Sequence, residues 1–292
     1  MRVKVIINPA AGKEEPILGV LDTVFTELDI EWDVAITHAA GDGIAAALQA
    51  ADGGFDLIGA YGGDGTVSEV ASALAQGGPP MLLLPGGTGN VLAEELGIPP
   101  TLAEAAALAG ENAAEVKRVD MGKTGDRWFI VRLTTGFEST VVEEATRELK
   151  LRYGRFAYPI AALKTLVDPP VAHYSLVIDG REIEGEGVEV MVANSAGTGV
   201  TGIQLADEVD VSDGLLDVLL LESTDIPNLI ASAADAAAGQ PPRLVTRWRG
   251  TTIHIEATPA QGVSIDGEAE GLTPLDVVTV PGAIGVLVPR SE

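Results

Sequence analysis

The feature that most constrains the fold of this 292-residue chain is a glycine loop at residues 61–66, between a strand pattern and a helix pattern. Residues 55–60 are largely apolar and predict a buried strand, and residues 67–74 have apolar positions at helical spacing. A strand, a glycine turn and a helix start together form a phosphate cradle, because the N–H groups and dipole of a helix N-terminus favour an anion. We expect Thr66 to cap this helix through its hydroxyl.

Asp64 lies inside this loop, where a carboxylate repels a phosphate unless a cation lies between them. The loop therefore predicts a site for a metal–nucleotide complex rather than for a bare phosphate. It is not a Walker A loop, because the Gly-Lys-Ser/Thr ending is absent. For this loop taken alone, a glycine-rich turn without any ligand is the favoured interpretation, and the rest of the chain has to decide between the two.

Strand and helix patterns alternate along the first third of the chain, with strands at 3–8, 32–37, 55–60 and 81–84 and helices at 17–28, 44–51, 67–74 and 91–96. This alternation predicts a parallel sheet with helices on both faces. Ligands bind beyond the carboxyl ends of such strands, where three loops lie, at 8–13, 62–66 and 85–90. We expect these loops to converge, with Lys13 as a mobile cation and Thr88 and Asn90 as polar contacts for a nucleotide.

Strand patterns dominate after about residue 115, at 127–134, 174–179, 188–193, 215–221, 243–248, 252–256, 277–280 and 284–288. Turn dipeptides such as Asp179-Gly180 separate some of them. They predict a mainly antiparallel β domain with helices inserted at roughly 138–167 and 226–238. We place the α/β domain at 1–120 and the β domain at 121–287, with residues 288–292 returning to the first.

Two acidic segments of the second domain are candidate sites. Around Asp213, a solvated loop with a glycine turn is favoured on spacing, and a hard-cation site with Asp213 and nearby carbonyls is the alternative. Asp266-Gly267 is a common hairpin dipeptide. Asp266 and Glu268 could also divide labour, one accepting a proton from an attacking hydroxyl and the other holding a metal.

The formal net charge of −25 argues against a nucleic-acid partner, because phosphate backbones require a basic face. The basic residues cluster in two places, Arg147, Lys150, Arg152 and Arg155 in one and Arg243, Arg247 and Arg249 in the other. The first cluster precedes an apolar stretch. Such a run is more often a solvated helix face, and peripheral contact with an anionic membrane surface is the alternative, expected if the substrate is a lipid.

Several classes of protein are not expected. The chain has no cysteine, which excludes disulfides and thiolate metal sites. No apolar run reaches the roughly 18 residues of a membrane span. The first residues show no signal peptide, so a cytoplasmic location is expected.

Taken in order, these motifs resemble the diacylglycerol kinase catalytic family, which includes the sphingosine kinases and bacterial soluble lipid kinases. The similarity lies at residues 8–13, 62–66 with Glu69, 85–90, 213–217 and 266–268, and it spans nearly the whole chain. It implies a Rossmann-like nucleotide domain of the NAD kinase and diacylglycerol kinase type, a C-terminal β-sandwich, and an active site in the cleft between them. It also implies ATP, Mg²⁺ and phosphoryl transfer to a diacylglycerol-like lipid hydroxyl.

The same resemblance implies roles for individual residues. Asp266 would be the base toward the lipid hydroxyl, Asp64 and Glu268 would help hold the catalytic magnesium, and Lys13 and Asp120 would belong to a charged network. A separate structural cation would be held by Asp213 with the carbonyls of Asp210 and Leu215. The expected nucleotide contacts are Asn8, Gly12, Gly62, Gly63, Asp64, Gly65, Thr66, Glu69, Gly86, Gly87, Thr88 and Asn90.

The chain departs from that family at Val91, where the soluble lipid kinases often have an Asp on the metal side. An NAD kinase, which shares the Gly-Gly-Asp-Gly-Thr loop and a related fold, is the alternative enzyme. A nucleotide- or lipid-binding homologue that has lost catalysis is the non-enzyme alternative, and Val91 motivates it. A homodimer through a sheet edge of the β domain is compatible with the pattern.

Overall fold

The computed structural model describes residues 1–11, 15–75, 77–136, 171–195, 209–222 and 245–290. The chain folds as two compact units, Met1–Met121 with Pro281–Glu292, and Gly122–Val280. The sequence places the first division one residue earlier and the return to the first unit at 288, whereas the return in the structure begins at Pro281.

The first unit is an α/β domain built on a parallel sheet. Its elements are β1 (Arg2–Ile7), α1 (Ile17–Glu27), β2 (Glu31–Ile36), α2 (Asp42–Asp52), β3 (Leu57–Gly62), α3 (Asp64–Leu74), β4 (Met81–Pro85), α4 (Val91–Glu95) and α5 (Leu102–Ala107). The parallel strands have the order β2-β1-β3-β4. β3 and β4 are buried along their whole length, which explains why their sequences are continuously apolar rather than alternating. The predicted α/β fold is confirmed.

Two helices differ from the sequence prediction. α5 is additional, and Thr101 caps it by accepting a hydrogen bond from the Glu104 N–H at 3.3 Å. α3 begins at Asp64, so the second half of the glycine loop forms its first turn. The prediction that Thr66 caps α3 is wrong, because Thr66 lies inside that turn and a cap must precede it.

The second unit is an antiparallel β-sandwich. The strands that follow along the chain are β5 (Ala114–Thr124), β6 (Arg127–Phe129), β7 (Arg132–Gly136), β8 (Ala172–Ile178), β9 (Arg181–Gly187), β10 (Glu189–Ala193), β11 (Leu216–Leu221), β12 (Val245–Gly250), β13 (Thr252–Thr258), β14 (Gly262–Ile265), β15 (Glu268–Leu272) and β16 (Leu275–Pro289). The divisions between the units fall inside β5 and β16, so both strands belong partly to the first unit. One sheet has the order β12-β11-β10-β7-β14-β15. β8 pairs with β9 and β13, which pairs with the first part of β16.

The core of this sandwich joins the inward-facing residues of both sets of strands. Leu133, Val190, Val218 and Ile265 come from the six-stranded sheet, and Tyr174, Leu176, Ile253 and Val277 come from the facing strands. Each of these strands alternates between core and outer positions, as a sandwich requires. The predicted C-terminal antiparallel β-sandwich is confirmed.

Several strand predictions are corrected. The segment 127–134 forms two strands, β6 and β7, separated by Ile130 and Val131. The segments 277–280 and 284–288 belong to one strand, β16. β5, β9, β14 and β15 are additional. The helices expected at 138–167 and 226–238 lie outside the described residues, as do Arg147, Lys150, Arg152, Arg155 and Arg243. No helix within the described ranges is long and apolar enough to cross a membrane.

Candidate functional site

The first strand-end loop is tied to the second by Asn8. The Asn8 backbone N–H donates to the carbonyl oxygen of Tyr61 at 2.9 Å, and its side-chain amide donates to the Thr66 hydroxyl at 3.1 Å. The Asn8 side-chain oxygen accepts the Ala10 N–H at 3.0 Å, which closes the turn of the loop itself. Asn8 therefore fixes the loop after β1 against the first turn of α3. Gly12 and Lys13, the remaining predictions for this loop, lie outside the described residues.

The second and third loops pack directly on each other. The Gly86 and Gly87 N–H groups donate to the Gly62 carbonyl oxygen at 2.9 and 3.1 Å. A Cβ on Gly87 would overlap the Cα of Gly63, so this approach requires glycine. Gly65 and Thr88 are exposed beside the packed glycines, with no atom near the position of a Cβ on Gly65. The structure thus brings the three predicted loops together and leaves an open surface at their edge.

Asp64 connects the first turn of α3 to the first turn of α4. Its Oδ1 accepts the Val91 N–H at 2.7 Å. Asn90 precedes α4 in a left-handed conformation and exchanges two hydrogen bonds with Gly87, at 3.0 and 2.9 Å. Val91, where the resemblance implies a carboxylate, thus contributes its backbone N–H, and its side chain is buried.

Glu69 contacts a helix terminus. Its two carboxylate oxygens accept the N–H groups of Gly41 and Gly43, each at 2.8 Å. These donors lie at the start of α2, where the helix dipole favours a negative charge. The carboxylate that the sequence assigns to the nucleotide therefore binds the N-terminus of α2 in this structure.

Tyr61 lies beneath the loops and has no role in the sequence prediction. Its ring is fully buried, and a Cβ on Gly86 would lie 2.8 Å from it. Its hydroxyl donates to Glu15 Oε1 at 2.8 Å. Burial and then the Glu15 carboxylate raise the pKa of Tyr61 above its ordinary value, so the phenol stays a neutral donor. The signal in the sequence is an aromatic residue directly before the glycines.

Asp120, expected in a charged network, is 2% exposed. Its Oδ1 accepts the N–H of Gly282 at 2.6 Å, and Gly282 has a positive φ of 57° within β16. Asp120 thereby stabilises the left-handed backbone conformation of Gly282 within β16.

Asp266 occupies a tight hairpin between β14 and β15. Asp266 and Gly267 both have positive φ, 46° and 84°, which is the geometry of a type I′ turn. The carboxylate accepts three backbone N–H groups, from Ile130 at 3.0 Å, Val131 at 3.0 Å and Arg132 at 2.9 Å. These bonds explain why β6 and β7 are separate strands, since the N–H groups between them point to Asp266.

Asn194 holds the other side of the same segment. Its side-chain amide donates to the Ile130 carbonyl oxygen at 2.9 Å, and its backbone N–H donates to the Val131 carbonyl oxygen at 2.9 Å. Asn194 is 1% exposed. The sequence prediction missed this residue, and its only signal is a polar side chain at the end of the apolar strand β10.

Glu268 follows the same turn and is exposed. It lies 3.4 Å from an Nη of Arg127, and Glu270 lies 2.6 Å from that nitrogen. The predicted magnesium ligand is thus paired with a guanidinium in this structure, and at an exposed position such a pair contributes little stability.

The Asp213 turn has a protein cation as its partner. The Asp213 carboxylate pairs with Arg249 and accepts the Leu215 N–H at 3.0 Å. The Asp210 carbonyl oxygen accepts the Asp213 N–H at 3.5 Å. Asp213 and Asp210 therefore accept hydrogen bonds from protein donors in this structure, and their role with Leu215 at a structural cation stays a prediction.

Two members of the second basic cluster, Arg247 and Arg249, lie on β12 and pair with carboxylates of the same region. Asp217 and Arg249 face each other across β11 and β12, as do Leu219 and Arg247. The 2% exposed Asp217 carboxylate lies 2.5 Å from the Nε of Arg247. Burial raises the pKa of Asp217, and the Arg247 hydrogen bond opposes that shift.

The described residues can also be compared with the ligands that the predicted magnesium ion would need. Among the residues that the structure describes, no three His, Asp or Glu side chains are grouped to hold a metal ion. Mg²⁺ needs only one or two carboxylates when substrate phosphates and waters complete its shell. Asp64, next to glycine loops suited to phosphates, fits that chemistry.

Two family descriptions match the chain. Diacylglycerol kinase catalytic domain matches residues 2–124, and YegS C-terminal NAD kinase beta sandwich-like domain matches residues 132–288. The second match alone covers more than half of the chain. The chain belongs to the diacylglycerol kinase family. The predicted membership of this family is confirmed, and the chain is a kinase with an alcohol-group acceptor.

Relatives of the diacylglycerol kinase family align over nearly their full length. The Diacylglycerol kinase of Bacillus subtilis is 27% identical, with 100% of this chain and 97% of the relative covered. The Probable lipid kinase YegS-like of Pseudomonas putida is 32% identical, with 89% and 86% covered. A crystal structure of a diacylglycerol kinase from Bacillus anthracis superposes with a TM-score of 0.77 at 26% identity, with 99% and 97% of the two chains covered.

Proposed function

We propose that this protein transfers the γ-phosphoryl group of ATP, bound with Mg²⁺, to the hydroxyl of a diacylglycerol-like lipid. The observation that carries the proposal is the packing of the two glycine loops, in which Gly62, Gly63, Gly86 and Gly87 lie in contact beside the N-terminus of α3. Backbone N–H groups at such a terminus bind phosphate oxygens. The names of the relatives support a lipid as the acceptor.

The proposed roles follow the charges. Asp64 binds the magnesium that neutralises the β- and γ-phosphates, and Asp266 orients the lipid hydroxyl and accepts its proton. Three backbone N–H bonds fix the Asp266 carboxylate in one position and keep it ionised, which suits the orienting part of this role. Phosphoryl transfer depends mainly on positioning and charge neutralisation, so one oriented carboxylate is sufficient on the acceptor side.

The test is transfer of labelled γ-phosphate from ATP with Mg²⁺ to a panel of diacylglycerol, monoacylglycerol, a long-chain base, phosphatidylglycerol and NAD. We expect label on a glycerolipid. Label on NAD alone would instead support the NAD kinase alternative. ATP binding without transfer to any acceptor would support a binding protein without catalysis.

The variant Asp64→Ala tests the nucleotide part separately. We expect Mg²⁺-dependent affinity for ATP to fall about tenfold or more, because the carboxylate that would hold the metal is gone. Asp42→Ala is the matched control, since Asp42 is also the first residue of a helix and accepts the N–H groups of His38 and Ala39. Equal ATP affinity in both variants would remove Asp64 from the metal site.

Peripheral association with an anionic membrane remains part of the proposal. It is motivated by the lipid substrate and by the cluster from Arg147 to Arg155, which lies outside the described residues.

A further inference from the structure

Two buried hydroxyls of the second unit are directly opposed across neighbouring strands. Thr134 of β7 pairs with Ser264 of β14, and the two residues are 1% and 2% exposed. Across the described part of the chain, neither hydroxyl oxygen has a hydrogen-bond partner. A buried polar group without a partner opposes folding, and native structures contain few of them. Two such hydroxyls directly opposite each other therefore require a physical explanation.

The pair lies on the face of the sheet opposite to the sandwich core. Leu133, Val263 and Ile265 point into the core, and side chains alternate along a strand, so Thr134 and Ser264 point away from it. Thr134 is also opposite Met191, and Met191 is opposite Leu219. Met191 and Leu219 form a separate buried apolar cluster on this outer face. The hydroxyl pair is thus bordered by apolar side chains, as the binding site of an amphipathic molecule would be.

The pair is also close in register to Asp266. Ser264 precedes Asp266 by two residues, which corresponds to about 7 Å along a strand. The Asp266 N–H donates to the Arg132 carbonyl oxygen at 2.9 Å, so the pairing with β7 continues into the turn. The hydroxyl pair and the apolar cluster lie in one row across the sheet, because Ser264, Thr134, Met191 and Leu219 are opposite one another in turn. Asp266 lies at the hairpin end of this row, two residues along the chain from Ser264.

We propose that the hydroxyls of Thr134 and Ser264 donate hydrogen bonds to an ester carbonyl of the acceptor lipid whose free hydroxyl contacts Asp266. This inference rests on the proposed function. In a diacylglycerol the ester carbonyls lie further from the free hydroxyl than does the amino group of a long-chain base. This greater distance suits the separation of about 7 Å between Ser264 and Asp266. The first methylenes of an acyl chain contact Met191 and Leu219.

The test is the double variant Thr134→Val with Ser264→Ala, assayed with 1,2-dioctanoylglycerol, sphinganine and 1-dodecanol. We expect KM for dioctanoylglycerol to rise about tenfold, the effect of losing two net hydrogen bonds. Little change in KM is expected for dodecanol, because it has no ester carbonyl to accept a hydrogen bond from the two hydroxyls. The ratio of the KM values for the two acceptors therefore becomes smaller in the variant. Thermal stability should be unchanged or higher, because neither hydroxyl has an internal partner to lose.

The matched control is Thr135→Val, on the same strand but facing the core. Thr135 is fully buried, and its hydroxyl donates to the Val190 carbonyl oxygen at 3.4 Å. We expect this variant to lose thermal stability without a change in acceptor preference. An unchanged KM in the double variant would overturn the proposal and leave the two hydroxyls as a site for water. An equal loss with sphinganine would overturn the assignment to an ester.

Binding separates this proposal from the proposed function. The shift of the unfolding temperature on addition of dioctanoylglycerol is measured without ATP, for the wild type and the double variant. A shift that requires the two hydroxyls supports the lipid site even if no phosphate is transferred, in which case only the proposed function fails. No shift and no transfer in the wild type would overturn both.

Discussion

Two Asp-Gly turns of the second unit have the same dipeptide and different partners. The Asp266 carboxylate accepts three backbone N–H groups from a segment more than 130 residues earlier in the chain. Among the described residues, the Asp213 carboxylate pairs with Arg249 and accepts the nearby Leu215 N–H. The dipeptide fixes a local turn, and the long-range partner fixes what the carboxylate does.

A third turn provides a reference for the other two. Asp179-Gly180 has positive φ angles of 48° and 81°, close to the 46° and 84° of Asp266-Gly267, and joins β8 to β9. Its exposed carboxylate accepts hydrogen bonds from Thr251 and Thr252. The Thr252 N–H, followed by the Thr251 hydroxyl, holds the pKa of Asp179 below its ordinary value.

The largest expected effect distinguishes Asp266 from this reference. We expect Asp266→Asn to lower kcat by about 10²–10⁴-fold, the usual contribution of an acid–base group. Asp179→Asn should leave kcat unchanged, although both substitutions retain the turn. The measurement is kcat with the acceptor found in the panel, alongside circular dichroism to confirm folding. Equal activity of the two variants would reduce Asp266 to a structural carboxylate.

A smaller effect, on stability, is expected from the two arginines beside the Asp213 turn. Arg247→Met should cost about 3–5 kcal/mol of unfolding free energy, because it leaves the buried Asp217 carboxylate without its main cation. Arg249→Met should cost less, since Arg249 is more exposed and lies 3.6 Å from Asp217. Denaturant unfolding measures both. A larger loss for Arg249→Met would mean that the Asp213 pair, and not Asp217, holds this region together.

The pH dependence gives the sign of the Asp217 contribution. Burial raises the folded-state pKa of Asp217, so its contribution to stability is present at low pH and is lost as pH rises through that pKa. Arg247 limits this loss. The stability deficit of Arg247→Met should therefore grow as pH rises from about 4 to about 7.

The smallest effect is expected at Asp179. Because its pKa is lowered on folding, its contribution is present above the unfolded value of about 3.9 and is lost as pH falls through the folded value. Asp179→Asn should be less stable than the wild type at neutral pH, and the two should converge in acid. Parallel stability curves down to the acid limit would contradict the hydrogen-bond explanation.

The sequence by itself determined the elements that depend on local pattern. Buried parallel strands are continuously apolar, and sandwich strands alternate, so the two fold classes could be predicted from 81–84 and 252–256 alike. The glycine loops and the Asp266-Gly267 hairpin follow from backbone conformations that few other residues adopt. Their order along the chain was sufficient to recognise the diacylglycerol kinase family.

Only the tertiary structure decided the partner of each charged group. Glu69 binds the start of α2, Asp64 binds the Val91 N–H, and Arg249 occupies the place expected for a cation beside Asp213. The break between β6 and β7 likewise depends on Asp266, far along the chain. A carboxylate accepts any donor that the fold brings within about 3 Å. Residue spacing reports that distance only within one helix or strand, so contacts between distant segments could not be predicted from it.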